Sequence, residues 1–183
     1  DFYSWHRYAR NVGDIVGDIR LHRALLDEYG FTNTESILDE WNYVRSFCGE
    51  EWAYSLRNMI GMKGAAFTAA VMAASQDEPV DMLMYYDARL SSGMNCIFEG
   101  QTCTTRKGYH AVKTWGEMAL LGDECETVCD VPDIWSATAV KDGKSITMIT
   151  YYSDDDNALP REFTVEFDGG DELRTIYLID DTH

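Results

Sequence analysis

Ser36-Ile37-Leu38-Asp39-Glu40-Trp41-Asn42-Tyr43 runs an apolar strand straight into a carboxylate, followed by an aromatic residue and an amide. In parallel α/β barrels the loops that follow the strands carry the chemistry, so a carboxylate at a strand's C-terminal end marks Glu40 as the first functional candidate. Similar units lie on either side of this stretch. Phe2 to His6 predicts a strand, and a helix follows with Ile15, Ile19, Leu26 and Tyr29 near one face and Gly30 as a left-handed stop. Downstream, Met59 to Ala74 predicts an alanine-rich helix with Met59, Met62, Ala66, Ala70 and Ala73 on one stripe. A third strand is expected over Val80 to Tyr86, a polar loop over 87–105, and a third helix from about Gly108 to Leu121 with Gly122 as its end. Alternation of this kind predicts a parallel sheet covered by helices.

Beyond Gly122 the period changes. Ile134 to Val140, the turn Lys141-Asp142-Gly143-Lys144 and Ser145 to Tyr152 predict a β-hairpin. Phe163, Val165 and Phe167 alternate with Thr164 and Glu166, Gly169-Gly170 punctuates, and Leu173 to Ile179 predicts a last strand. The expected organisation is therefore α/β over residues 1–122 and antiparallel β over residues 123–183, the latter as part of a β-sandwich.

A complete eight-unit barrel needs roughly 250 residues, whereas this chain has 183 and three visible units. The expectation is the C-terminal part of a longer protein: the last three βα units of a TIM (β/α)8 barrel and part of an accessory domain. Three units leave an open parallel edge, which predicts self-association.

Composition narrows the partners. A net charge of −17, from 15 basic and 32 acidic residues, opposes binding to nucleic acid, which basic side chains drive, but leaves neutral carbohydrate acceptable. No run approaches the roughly 18 apolar residues of a membrane span. Asp154-Asp155-Asp156-Asn157 predicts a solvated loop rather than a calcium site. The five cysteines, Cys48, Cys96, Cys103, Cys125 and Cys129, form no zinc pattern and are expected as reduced thiols, although Cys96 and Cys103 are spaced closely enough to bridge. No glycine-rich phosphate loop follows a strand, so an open nucleotide-binding sheet has little support. No cofactor is expected, and compartment is left open between cytoplasmic and secreted.

Four segments resemble family 39 glycoside hydrolases, the β-xylosidases and α-L-iduronidases, in the right order. Ser4-Trp5-His6-Arg7-Tyr8 resembles the sixth barrel strand, and Leu38-Asp39-Glu40-Trp41-Asn42 resembles the seventh, which ends in the nucleophilic glutamate. Lys107-Gly108-Tyr109-His110-Ala111-Val112 is similar to the opening of the eighth helix, with Gly108 where the family usually has proline. Ile179-Asp180-Asp181-Thr182-His183 is similar to the segment closing the accessory β-domain. At the eighth strand Tyr85-Tyr86-Asp87-Ala88-Arg89 departs from the usual pattern.

The resemblance implies retaining cleavage of an O-glycosidic bond in β-xyloside-like substrates, with Glu40 as nucleophile. His6 and Tyr8 are then expected as hydrogen-bond donors to Glu40, Asn42 as an orienting group, and Trp5, Trp41 and Tyr86 as aromatic faces for an oligosaccharide or glycoside. The family's acid/base lies on an Asn-Glu pair at the fourth strand. No Asn-Glu dipeptide occurs in the chain, so the chain alone is expected to turn over little or no substrate. The alternative is a non-catalytic carbohydrate-binding or scaffold module.

Overall fold

The computed structural model describes residues 1–166 and 175–182. β1 (Phe2–Ala9), β2 (Glu35–Tyr43) and β3 (Met82–Tyr85) form a parallel sheet in the order β1-β2-β3. α1 (Val12–Glu28) connects the first two strands, while α2 (Gly49–Met59) and α3 (Met62–Ala74) connect the next two. The 86–106 loop leads into α4 (Lys107–Leu121). A second, antiparallel sheet has the order β4 (Asp123–Cys125), β5 (Ile134–Lys141), β6 (Lys144–Tyr151).

α3 explains how two sheets share one body. Residues Gly64 to Val71 are all buried, the pattern of a helix covered on every side. Ala66, Phe67, Ala70 and Val71 join Trp5, Ile15, Ile19, Leu38, Trp41 and Tyr43 in the core behind the parallel sheet. Ala69 faces the other way, into a second cluster with Ala111 and Met118 of α4, Ala137 and Ala139 of β5 and Met148 of β6. Small side chains let the backbones approach on both flanks, and each fully buried large residue, such as Phe67, contributes about 1.5–3 kcal/mol. Tyr152, just after β6, reaches across to the first core, edge-on to Phe67 at 5.2 Å.

Several expectations are met. Gly30 lies just past α1 with φ +86°, and α4 stops at Gly122. Asp142 and Gly143 both have positive φ at the tip of the β5–β6 hairpin, the twist a two-residue turn needs to match its strands.

Others are corrected. The helix expected from Met59 starts at Met62, because a separate α2 ends at Met59 and the chain bends at Ile60 and Gly61. Tyr29, expected near one face of α1 with Ile15 and Ile19, is 72% exposed while those two are wholly buried. β1 and β2 run on to Ala9 and Tyr43, so Glu40 lies inside a strand rather than at its end. Residues 161–166 and 175–179 form no strand, and Phe167, Gly169, Gly170, Leu173 and His183 lie outside the described residues. Among the described residues the antiparallel sheet packs on α3 and α4, with no second sheet facing it. No described helix is long and apolar enough to cross a membrane. All five cysteines are free, Cys96 buried and Cys103 exposed.

The Asp154 segment is not a simple solvated loop. The Asp154 carboxylate accepts from Arg45 Nε at 3.0 and 2.9 Å and from the Tyr43 hydroxyl. Lys63 donates to the Asp154 carbonyl at 2.9 Å and to Asp156 at 2.6 Å. Arg45 also lies 3.8 Å above the Tyr54 ring. This network fastens the end of β2 and the start of α3 to the chain leaving β6.

Candidate active-site face

A β-bulge builds the site. Trp5 pairs with Leu38, but His6 pairs with Glu40, leaving Asp39 as the extra residue in β2. Partners in register share a face, so Glu40 joins His6 and Tyr8 on the side of the sheet that no helix covers. The inserted residue lets Asp39 reach the same side. Two consecutive carboxylates thus meet one imidazole: His6 Nε2 is 3.2 Å from Asp39 Oδ1, and His6 Nδ1 is 3.4 Å from Glu40 Oε2. Ser4 donates its hydroxyl to Asp39 Oδ2.

Tyr8 donates its hydroxyl to Glu40 Oε2 at 2.8 Å. Burial, reinforced by that hydrogen bond, raises the phenol well above its ordinary range. Tyr8 is therefore a fixed donor and Glu40 its acceptor. The Glu40 side chain keeps 32% of its surface open, enough for a ligand to reach it.

Tyr86, the residue after β3, stands edge-on to Tyr8 at 6.2 Å. Its amide donates to the Trp41 carbonyl at 3.1 Å, and Arg89 donates to its hydroxyl at 2.9 Å. Arg89 also clamps the buried Asp87 carboxylate through Nε and Nη2 at 2.8 and 2.6 Å, which orders the loop at this rim.

The other expected site residues lie elsewhere. Trp5 is 6% and Trp41 2% exposed. Both lie in the core behind the sheet, Trp5 against His22 of α1 at 4.3 Å and Trp41 against Tyr85 of β3 at 5.6 Å, so neither offers a face to a ligand. Strand alternation is the reason: each neighbours a residue of the open face and so points the other way. Asn42 is 1% exposed. Its amide donates to the carbonyls of Tyr86 and Met94 at 2.5 and 3.0 Å, and its oxygen accepts from the Tyr43 amide. It braces the 86–95 segment rather than orienting Glu40.

Residues not anticipated are Asp39, Phe47 and Trp52. The Phe47 ring packs edge-on to Tyr8 at 5.2 Å and against Trp52 at 5.3 Å. Phe47 is bounded by polar loop residues and Trp52 lies in a short helix, so neither falls into a periodic pattern. Two surface hollows, about 440 and 310 Å³, flank Asp133 and the 151–161 turn. Glu40 lines neither, because its face is an open sheet rather than an enclosed cavity.

No protein-family model matches the chain, and no curated protein matches it. Its fold is similar to that of a solved structure, a glucosidase from Croceicoccus marinus, with a TM-score of 0.67 over 85% of this chain at 22% identity. The matched part is 34% of that structure's chain, so this chain spans about a third of its length. The likeness is one of fold: a parallel sheet with its helices beside an antiparallel sheet.

Proposed function

We propose that this chain supplies the nucleophile side of a retaining glycosidase site, with Glu40 as the nucleophile. The observation that carries the reading is the Tyr8 hydroxyl donating to Glu40 at 2.8 Å, with His6 alongside. The resemblance of the surrounding segments to family 39 glycoside hydrolases, with β-xyloside-like substrates, supports it, as does the fold shared with a glucosidase.

In this reading a Glu40 oxygen attacks the anomeric carbon as the glycosidic C–O bond breaks. The leaving oxygen takes a proton from a second carboxyl group about 5–5.5 Å away. Water, giving its proton to that same second group, then cleaves the glycosyl ester and regenerates Glu40. Tyr8 holds the attacking carboxylate in place by donating to it before the reaction, and donates to it again once it is regenerated. The acid is assigned to a part of the protein outside this chain, and β1–β3 to the last three strands of a (β/α)8 barrel.

The test is covalent trapping. A longer polypeptide containing this chain, treated with a fluorinated mechanism-based glycoside, is expected to carry the sugar on the peptide containing Glu40 and to lose the label on Glu40→Gln. The 183-residue chain alone is expected not to hydrolyse an aryl β-xyloside. Saccharide binding without any labelling of Glu40 would move the assignment to a carbohydrate-binding module.

The same assignment accounts for the exposed apolar residues near the sheet. β1 and β3 are its edges, and Phe2, Met82 and Met84 are 67%, 46% and 44% exposed. An unpaired parallel edge beside such a patch favours association. Light scattering of the isolated chain is expected to report dimers or larger species that dissociate on dilution, and a monomer at all concentrations would count against the open edge.

A further inference from the structure

Four rings form a chain of contacts that meets the Glu40 carboxylate at Tyr8. Tyr86 meets Tyr8 edge-on at 6.2 Å, Tyr8 meets Phe47 edge-on at 5.2 Å, and Phe47 meets Trp52 at 5.3 Å with planes 34° apart. Phe47 sits on the segment between β2 and α2, which is braced at both ends, and Trp52 follows in α2. The Arg45 amide donates to Ser55 Oγ at 2.9 Å, and the Cys48 amide donates to Ser46 Oγ at 3.2 Å. Phe47 is thus held in position, yet it remains 57% exposed. Trp52 is half-buried against the core.

We propose that this ladder is a saccharide platform and that its ligand is an uncharged oligosaccharide of several sugar units, running from Glu40 past Tyr8 to Phe47 and Trp52. The proposal rests on the assignment of Glu40 above and names the class of substrate that would reach it. Rigid aromatic rings supply large apolar contact area to the C–H faces of sugars. Phe47 and Trp52 take the part that Trp5 and Trp41 are too buried to play. Two ring-to-ring steps, of 5.2 and 5.3 Å, separate Tyr8 from Trp52, so a single sugar seated at Glu40 would leave Phe47 and Trp52 uncovered. Charge selects among glycans: Asp39 and Glu40 lie at the inner end, and the chain carries −17 overall, which disfavours uronate or sulfated chains.

The test uses the 183-residue chain and calorimetric titration with xylo-oligosaccharides of one to five units. Affinity is expected to climb with each added unit and to plateau once the ladder is covered. Phe47→Ala is expected to weaken the pentasaccharide about tenfold, the loss of one ring contact, while Phe47→Tyr restores it. Leu120→Ala, at an 84% exposed position on α4, serves as the control and leaves binding unchanged. Phe47 is mostly in solvent, so its removal does not endanger the fold. Equal affinity for one and five units, undiminished binding by Phe47→Ala, or no binding at all would overturn the platform. Failure of the Glu40 assignment would appear instead in the trapping experiment, with the length dependence and the Phe47 effect intact.

Discussion

Asp154→Ala is expected to destabilise the protein by about 3 kcal/mol, at the lower end of the range for breaking a buried ion pair from one side. Arg45 and Asp154 are only 19% and 16% exposed. Burial alone would lower the Arg45 guanidinium, but the Asp154 hydrogen bond and the nearby Tyr43 and Tyr54 outweigh it and raise it further. The Tyr43 phenol is raised first by burial and then by its bond to Asp154. Alanine would strip this guanidinium of its main carboxylate and leave the wholly buried Tyr43 hydroxyl without its acceptor, and each unmet group retains its desolvation cost. The value falls at the low end because Arg45 keeps the residue-154 carbonyl at 2.6 Å and Asp156 at 3.8 Å.

Urea denaturation checks this through the midpoint at constant slope. The double replacement Arg45→Met with Asp154→Leu is expected to recover most of the loss, because it removes both charges instead of stranding one. A single Asp154→Ala variant as stable as the parent would mean that solvent already satisfies the network.

Gly108→Ala is expected to cost about 2–3 kcal/mol through overpacking. A Cβ at this position would sit 2.3 Å from Cys96 Sγ and 2.6 Å from the Cys96 carbonyl oxygen. The Gly108 amide itself donates to that carbonyl at 3.1 Å, so the first turn of α4 cannot retreat without losing the bond. Cys96→Ala should relieve only the sulfur contact, and a combined variant that regained full stability would show the carbonyl contact to be harmless. Thermal unfolding is the measurement. The same contact disfavours proline at this position: its ring would meet Cys96, and its nitrogen has no hydrogen to donate.

Much of this architecture is legible from local pattern. The β5–β6 hairpin follows from alternation and an Asp-Gly turn, and α3 from a small-residue run that only a helix packed on several sides would tolerate. The misses have definite physical origins. α2 buries only Ser55 and Met59, too few positions to make a stripe, although Glu50 and Glu51 in its first turn and Arg57 in its last are charges a helix dipole favours. The Asp39 bulge leaves no trace in composition, so the end of β2 was expected too early. Phe163 to Val165 alternate without forming a strand, because alternation does not supply a pairing partner. Asp154 looks solvated in its own acidic neighbourhood, since its partner Arg45 lies 109 residues away.

The candidate site divides similarly. Glu40, His6 and Tyr8 come together on the open face, and Tyr86 stands beside Tyr8. Trp5, Trp41 and Asn42 are adjacent in sequence to the open-face residues or lie near them, but the pleat and the amide's backbone bonds commit them to the interior. Phe47 and Trp52 emerge only once the β2–α2 segment is folded.

The position of α3 bears on how the molecule comes apart. A helix with one flank in each hydrophobic cluster ties the fate of the hairpin to that of the parallel strands, so the chain should lose both sheets in one concerted transition. A cut at Gly122, natural as it looks along the sequence, would strip Ala69, Ala111 and Met118 of their cover and yield two sticky halves in place of two independent folding units.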